Sequence, residues 1–394
     1  MTVPDAIPDV PAVADRRRTG RLGSRSRRTR WRTVGDGSRP ALSIALRPVW
    51  RSRTCVQFGV DPGRAVVVDG VDEPTVRALL GLDGGRTETE VLAAAAADGL
   101  DPATLARLLD GLRAGGALVD GPPPADPFDT ADRPAPGAAV RLAPDRAALA
   151  LLAGGDVAAG AVLARRRTAV VVVHAADRVG VTLAALLAAA GVGHVHVVDR
   201  GPVRPADVAP GGLAAADAHR SCGTAAADAV RRAAPEVATG PVDPGRLADL
   251  VVLGSARPVD TDLRPVLQNA GLPHLVVGVR ETTAIIGPLV LPGATTCLRC
   301  TDLHRAEHDP AWPLLAAQLS DDRTHRVEPC DVVLATIAAA VGALQCLAQL
   351  DGGAPTTLGG TLELALPDWR LRRRSWPPHR RCGCGAWPDL PSHG

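Results

Sequence analysis

Two pairs of cysteines near the C-terminus restrict the fold of this chain more than any other feature. Cys297 and Cys300 are three positions apart, and Cys382 and Cys384 are two apart, close to the end of the 394-residue sequence. Together they supply four thiolates, the ligand set of a tetrahedral zinc site or an iron–sulfur cluster. The spacing is not that of a ferredoxin. We therefore predict one structural zinc ion that ties the C-terminal tail to an upstream loop.

The alternative to a metal site is a pair of disulfides or of unrelated thiols. Residues 1–15 lack the apolar stretch of a secretory signal, and thiols stay reduced in the cytosol. We therefore expect a cytoplasmic protein whose four cysteines bind metal. His304 and His308 follow on one helix face, which we interpret as solvated because four thiolates already complete the site.

Positive charge is concentrated at the N-terminus. Residues 16–32 contain nine arginines and no acidic residue, whereas the whole chain has a formal net charge of +2 and no lysine. Such an arm can bind nucleic acid or anionic lipid, but we favour a disordered basic extension over residues 1–40. The uncharged segment Val332–Leu350 is rich in alanine and lacks flanking aromatic anchors, so we predict a core helix and no membrane span.

Residues 41–121 have the pattern of a small α+β domain. Short apolar runs predict three strands, at Leu42–Leu46, Val56–Val60 and Ala65–Val68, the last two joined as a hairpin. Capping residues and apolar periodicity predict three helices, at Thr75–Leu82, Thr87–Ala97 and Pro102–Ala114. Three strands and three helices describe a winged-helix domain.

Winged-helix domains often bind DNA, but the third helix argues against it here. Its arginines, Arg107 and Arg113, are balanced by Asp101 and Asp110, which is a poor match for a phosphate backbone. We therefore expect no nucleic-acid partner.

The second half of the chain changes pattern. Residues 122–165 form a Pro-rich linker and a short helical adaptor. Over residues 166–394, strands and helices alternate from Thr168 onwards. That alternation predicts a Rossmann-like α/β domain with a mostly parallel sheet covered by helices on both faces.

A nucleotide site in such a domain requires glycines after the first strand, where a helix N-terminus faces the phosphates. Here the turn at residues 174–180 retains only Gly180, and Asp177 places a carboxylate where a phosphate would bind. Arg178 can offset part of the repulsion. Asp199 ends the second strand at the position of a ribose-binding acid, and simple capping is an equal alternative.

Three segments of the α/β half resemble the ThiF, MoeB and HesA adenylyltransferases, relatives of ubiquitin-activating enzymes. They are residues 191–199, residues 287–293 with the following Cys297 and Cys300, and residues 342–352. The resemblance implies a Rossmann-type domain, ATP and Mg²⁺ binding, adenylation of the C-terminal glycine of a small ubiquitin-like protein, a structural zinc on four cysteines, and a homodimer.

The sequence departs from that family where its chemistry takes place. The glycine-rich turn is degenerate, no lysine is present for the phosphates, and no acid occurs at residues 254–257, where the family places a Mg²⁺ ligand. Asp260 and Asp262 are candidate replacements. Cys330, before the long helix, is a candidate catalytic thiol, because some activating enzymes use a cysteine in this neighbourhood.

Residues 82–90 and 112–120 are similar to the PqqD-like recognition element of peptide-modification systems. Fused to a ThiF-like domain, this element resembles the leader-peptide-binding partner of YcaO cyclodehydratases. The resemblance implies an adenylation-deficient scaffold that binds a precursor peptide by strand addition and presents it to a YcaO-like enzyme. The alternative is an active ATP-dependent adenylyltransferase of a small ubiquitin-like or sulfur-carrier protein.

Overall fold

The computed structural model describes residues 37–121, 137–153, 155–199, 201–254, 263–319 and 328–386. The chain divides into two compact units, Met1–Leu163 and Ala164–Gly394. Most of the predicted basic extension lies outside the described residues, as do Asp260 and Asp262.

The described strands are β1 (Pro40–Leu42), β2 (Pro48–Ser52), β3 (Cys55–Phe58), β4 (Val66–Asp69), β5 (Leu118–Asp120), β6 (Val170–His174), β7 (His194–Val197), β8 (Leu250–Leu253), β9 (His274–Arg280), β10 (Thr283–Val290), β11 (Gly360–Ala365) and β12 (Leu371–Ser375). The described α-helices are α1 (Glu73–Leu80), α2 (Glu88–Ala97), α3 (Pro102–Ala114), α4 (Ala138–Ala153), α5 (Asp156–Thr168), α6 (Gly180–Ala189), α7 (Cys222–Ala233), α8 (Leu263–Asn269), α9 (Leu298–His308), α10 (Trp312–Leu319) and α11 (Val332–Leu350).

The N-terminal unit contains the predicted hairpin. β2, β3 and β4 form an antiparallel sheet with β3 at its centre, and β1 pairs separately with β5. The strand expected at residues 42–46 is wrong over most of its length. The backbone turns there, because the amide of Ser43 donates to the carbonyl of Ala117 and the amide of Leu46 donates to that of Ser43. The edge strand β2 follows instead.

Three helices cover this small sheet, as the capping signals predicted. The hydroxyl of Thr87 accepts from the amide of Glu90, whose carboxylate accepts from the amide of Thr87, a complete capping box at α2. Asp101 accepts from two amides in the first turn of α3. The helices bury large apolar side chains in one core with the sheet, including Phe58, Leu79, Leu109 and Leu112.

The C-terminal unit is built on a seven-stranded sheet in the order β12-β11-β10-β9-β8-β6-β7. β7, β6, β8 and β9 are parallel neighbours, whereas β10, β11 and β12 are joined by antiparallel pairings. Five of the seven strands therefore run in one direction, which confirms a mostly parallel sheet. After β7 the chain crosses to the other side of β6 and forms β8 there, so the strand order reverses between β6 and β8. In α/β sheets, the crevice at the carboxyl ends of such strands is where ligands bind.

The long helix α11 lies in the core of this unit. By length and composition it is apolar enough to cross a membrane, but Leu334, Ala335 and Ala338 are buried against the sheet. The approach is close at Gly342, where a Cβ would lie 2.9 Å from side-chain atoms of both Leu183 on α6 and Val277 on β9. The apolar composition of α11 therefore serves packing, as predicted.

Candidate functional site

The four cysteines converge in the C-terminal unit. Cys297 immediately precedes α9 and Cys300 lies in its first turn, so one helical turn brings both thiols to one side. The Sγ atom of Cys297 is 3.8 Å from that of Cys300 and 3.5 Å from that of Cys382, and the Sγ atoms of Cys300 and Cys384 are 3.6 Å apart. All four sulfurs lie within 4.8 Å of one another.

These distances fit a tetrahedral zinc ion. Zn–S bonds of about 2.3 Å give a tetrahedron whose edges are about 3.8 Å. All four thiols are free, so the disulfide alternative does not apply. The amide of His379 also donates to the Sγ atom of Cys300 at 3.3 Å, and such hydrogen bonds orient metal-bound thiolates.

Burial changes the acidity of two thiols in the cluster. Cys297 and Cys300 are buried, while Cys382 and Cys384 are half-buried. Burial raises the pKa of the Cys297 thiol strongly and that of Cys382 to about 11. A divalent metal would supply the charge that stabilises thiolates at these positions.

A second cluster beside the cysteines was not predicted from the sequence. Glu307 on α9 accepts from Nε2 of His379 at 2.9 Å, and Nδ1 of His379 accepts from the amide of Arg381 at 3.1 Å. Nε2 of His304 lies 2.9 Å from the carbonyl of Pro377. His304 is thus half-buried against the tail and not solvated as expected, whereas His308 is exposed. Both ring nitrogens of His379 are engaged, so this cluster holds the tail onto α9.

The nucleotide turn joins β6 to α6 at the point where the sheet changes sides. Gly180 begins α6, and a Cβ there would lie 2.3 Å from the carbonyl oxygen of Ala175, so glycine is required by close packing. Asp177 accepts hydrogen bonds through Oδ1 from the amides of Val179 and Gly180, at 2.9 and 2.8 Å. The amides that would face a phosphate at this helix N-terminus therefore already bind a carboxylate.

The electrostatics of the turn are unfavourable for a further anion. Desolvation, with smaller contributions from the negative charges of Asp207 and Asp199, raises the pKa of Asp177 to about 6, although the amides of Gly180 and Val179 lower it. The carboxylate of Asp199 is exposed and accepts from the amide of Ala176 at 2.7 Å. The turn thus has three carboxylates within electrostatic range of one another, and one of them, Asp207, is paired with Arg204.

The guanidinium of Arg178 is bonded within the protein and is not directed at the expected phosphate position. It donates to the carbonyl of Ala206 at 2.6 Å and to the carbonyl of Cys330 at 2.7 Å. Burial, followed by the charge of Asp177, raises the pKa of the half-buried Cys330 thiol. The side chain of Asp331, and not Cys330, caps α11. The structure thus gathers Arg178, Gly180, Asp199 and Cys330 at one turn.

Comparisons with known proteins agree with this architecture. The ThiF family model matches residues 156–386, more than half of the chain. A search of curated proteins found no significant match.

Among solved structures, the Escherichia coli microcin C7 biosynthetic enzyme MccB in complex with N-formylated MccA superimposes with a TM-score of 0.61 at 14% identity, covering 88% of this chain and 99% of that one. The same values apply to E. coli MccB with ATP. Selenomethionine PaaA gives a TM-score of 0.59 at 16% identity, covering 84% of this chain and 98% of its own. At these identities the structures share a fold, and the matched family model shows that the chain belongs to the ThiF family.

Proposed function

We propose that this protein is an adenylation-deficient ThiF-like scaffold that binds a precursor peptide and presents it to a YcaO-type cyclodehydratase in ribosomal peptide modification. The observation that carries the proposal is the hydrogen bonding of Asp177. Its carboxylate occupies the amides of Val179 and Gly180, which are the donors that a nucleotide phosphate requires.

The charges around this turn support the loss of nucleotide binding. Two like charges about 4 Å apart repel by about 1 kcal/mol in water and by more in a partly buried site. The chain contains no lysine, so it lacks the lysine that ThiF-like enzymes place near the phosphates. The guanidinium of Arg178 is bonded to backbone carbonyls. A triphosphate would therefore have to displace Asp177, and the nearby guanidinium of Arg204 is already paired with Asp207.

The N-terminal unit supplies the proposed peptide-binding domain, a winged-helix, PqqD-like module over residues 41–121. In the described residues, β2 and β4 each pair only with β3, so a peptide can add as a fourth strand through main-chain hydrogen bonds. Arg113 on α3 binds Glu88, Asp110 and Asp120, which disfavours DNA as the ligand. The likeness to MccB solved with N-formylated MccA covers 88% of the chain and so extends beyond the family match into this unit.

The remaining parts of the proposal concern the scaffold. Residues 122–165 act as linker and adaptor, and residues 166–394 form the ThiF-like domain. One structural Zn²⁺ on the four cysteines fixes the C-terminal tail. We expect the protein to act in the cytoplasm as a homodimer, with the precursor peptide and a YcaO-like enzyme as partners.

The second candidate is a working adenylyltransferase of a small carrier protein, and the likeness to MccB with ATP favours it. It requires Asp177 to release the two amides, Asp199 to bind ribose, and Asp260 or Asp262 to bind Mg²⁺. This candidate also requires ATP–pyrophosphate exchange, a reaction that a scaffold does not catalyse.

Calorimetric titration with ATP and Mg²⁺, together with exchange assays containing precursor peptides encoded beside the gene, separates the two candidates. We expect no measurable ATP affinity and no exchange for the wild type. Asp177→Ala removes the carboxylate that occupies the two amides and should increase ATP affinity, while Asp61→Ala, in the N-terminal unit, should not. Micromolar affinity or release of AMP by the wild type would overturn the proposal.

A further inference from the structure

The N-terminal unit contains a cavity of about 740 Å³ that belongs to neither site described above. Its walls are the turn after α3, strand β5, the end of α4 and the first turn of α5. Leu46, Leu118 and Leu151 supply much of the apolar lining. Both the volume and the apolar lining are typical of sites that bind small molecules or side chains.

Among the described residues of this wall, two side-chain atoms are buried without a hydrogen-bond partner, the acceptor Oδ1 of Asp156 and the donor Nε of Arg113. Asp156, in the first turn of α5, is only 5% exposed, and its Oδ1 atom is buried without a hydrogen-bond partner. A buried carboxylate oxygen without a donor destabilises the fold. Burial raises the pKa of Asp156, and the positive charge of Arg146 counteracts this only in part.

The two arginines of the wall are bonded within the protein through their terminal nitrogens. Arg113 binds Glu88 at 2.8 Å and Asp120 at 3.4 Å. Arg64 donates to the carbonyl of Leu151 at 3.3 Å. Asp156 is therefore the acceptor in this wall that a ligand can still satisfy.

We infer that this cavity binds the guanidinium or ammonium group of a basic side chain in an extended peptide, with Asp156 as its acceptor. Buried charges in proteins are paired, and a charge-assisted hydrogen bond to a carboxylate is the pairing that this oxygen lacks. The aliphatic stem of the side chain packs against Leu46, Leu118 and Leu151. The inference rests on the proposed function for its peptide ligand, and it adds a sequence preference for arginine or lysine.

The test uses the full-length chain and two blocked dipeptides, Nα-acetyl-leucyl-arginine amide and its citrulline isostere, titrated by calorimetry. Citrulline keeps the shape of arginine and removes the charge. We expect the arginine probe to bind about tenfold or more tightly than the citrulline probe, because hydrogen bonds between charged groups contribute more than neutral ones. Equal binding of the two probes, or binding of neither, overturns the inference.

Asp156→Asn should abolish the preference for arginine, whereas Asp120→Asn, which alters a carboxylate already paired in the same wall, should retain it.

Thermal unfolding gives a second measurement. Removing an unpaired buried charge should leave the melting temperature of Asp156→Asn unchanged or raised, whereas a lowered melting temperature would make Asp156 a structural partner of Arg146 and contradict the inference. Arginine-probe binding combined with failure of every precursor peptide would refute the proposed function and leave the cavity assignment standing.

Discussion

The metal centre and the nucleotide turn lie in the same unit and differ in what their side chains can still bind. At the metal centre, four thiols point at a common position. At the turn, Asp177, Arg178 and Asp199 are each bonded to the backbone of the protein itself. Side chains that converge on one common position are stabilised by a bound ion. Side chains whose hydrogen bonds are made within the protein do not depend on a bound ligand. We therefore expect bound metal to stabilise the fold, and we expect nucleotide not to.

The largest expected effect comes from removing a metal ligand. Cys297→Ser should abolish metal binding and lower the melting temperature by about 10 °C or more, because metal-binding free energy is folding free energy in such sites. The tail carrying Cys382 and Cys384 contacts α9 through this cluster and through the pairing of His379 with Glu307. Metal analysis of protein purified without chelator, together with calorimetric melting, measures both effects.

Cys330→Ser is the control for this variant, since Cys330 is a half-buried thiol of the same unit that lies outside the cluster. It should keep about one zinc per chain. Full zinc occupancy in Cys297→Ser would show that Cys297 is not a ligand. Metal loss without any fall in melting temperature would show that the metal does not stabilise the fold, and the comparison between the two regions would then fail.

The next effect tests whether the turn is fixed by packing. Gly180→Ala brings a Cβ to 2.3 Å from the carbonyl oxygen of Ala175, so the backbone must move. Overpacking of this kind costs about 1–3 kcal/mol of unfolding free energy. Gly223→Ala, in α7 with open space around the new Cβ, should instead be neutral or stabilising by up to about 1 kcal/mol. Urea denaturation measures the unfolding free energy of both variants. If Gly180→Ala were as stable as Gly223→Ala, the turn would be adaptable enough to admit a ligand.

The sequence predicted the parts of the molecule that depend on local chemistry or on spacing. The four cysteines, the capping box at Thr87 and the alternation that forms the sheet were all readable, because each signal lies within a few residues or repeats along the chain. The pairing of β1 with β5 and the existence of β2 were missed. Both depend on contacts between distant segments, and β2 begins at Pro48, which weakens its strand signal.

The candidate site was only partly predictable for the same reason. Asp177 was expected to repel a phosphate, but its hydrogen bonds to two amides depend on backbone geometry that a sequence pattern does not specify. The contact between His379 and Glu307 joins residues 72 positions apart, and its one sequence signal was the position of His379 just before the second cysteine pair. Spacing along the chain identifies residues that can bind one ligand together. It does not show which side chains already have their hydrogen bonds made within the protein.

The smallest expected effect is a pH dependence at Asp177. The pKa of this carboxyl is about 6 in the folded protein against an ordinary value of 3.8. Between about pH 4 and pH 6 the unfolded chain has lost this proton while the native state still holds it, so rising pH removes stability, and the loss is complete above about pH 6. The full shift corresponds to about 3 kcal/mol, and solvent screening of a half-buried group reduces this to about 1–2 kcal/mol.

Asp177→Asn keeps an acceptor for the two amides and does not titrate, so its stability relative to the wild type should rise by that amount from pH 4 to pH 7 in urea denaturation. Asp101→Asn supplies a control of opposite sign, because the hydroxyl of Thr104 and backbone amides lower the pKa of the Asp101 carboxyl. The wild type should therefore gain stability over Asp101→Asn only as pH rises towards about 4, and the difference between these two proteins should stay constant from pH 4 to pH 7. If the Asp177→Asn difference stayed constant with pH, the carboxylate would be well solvated at the turn, and its internal bonding would no longer distinguish that region from the metal centre.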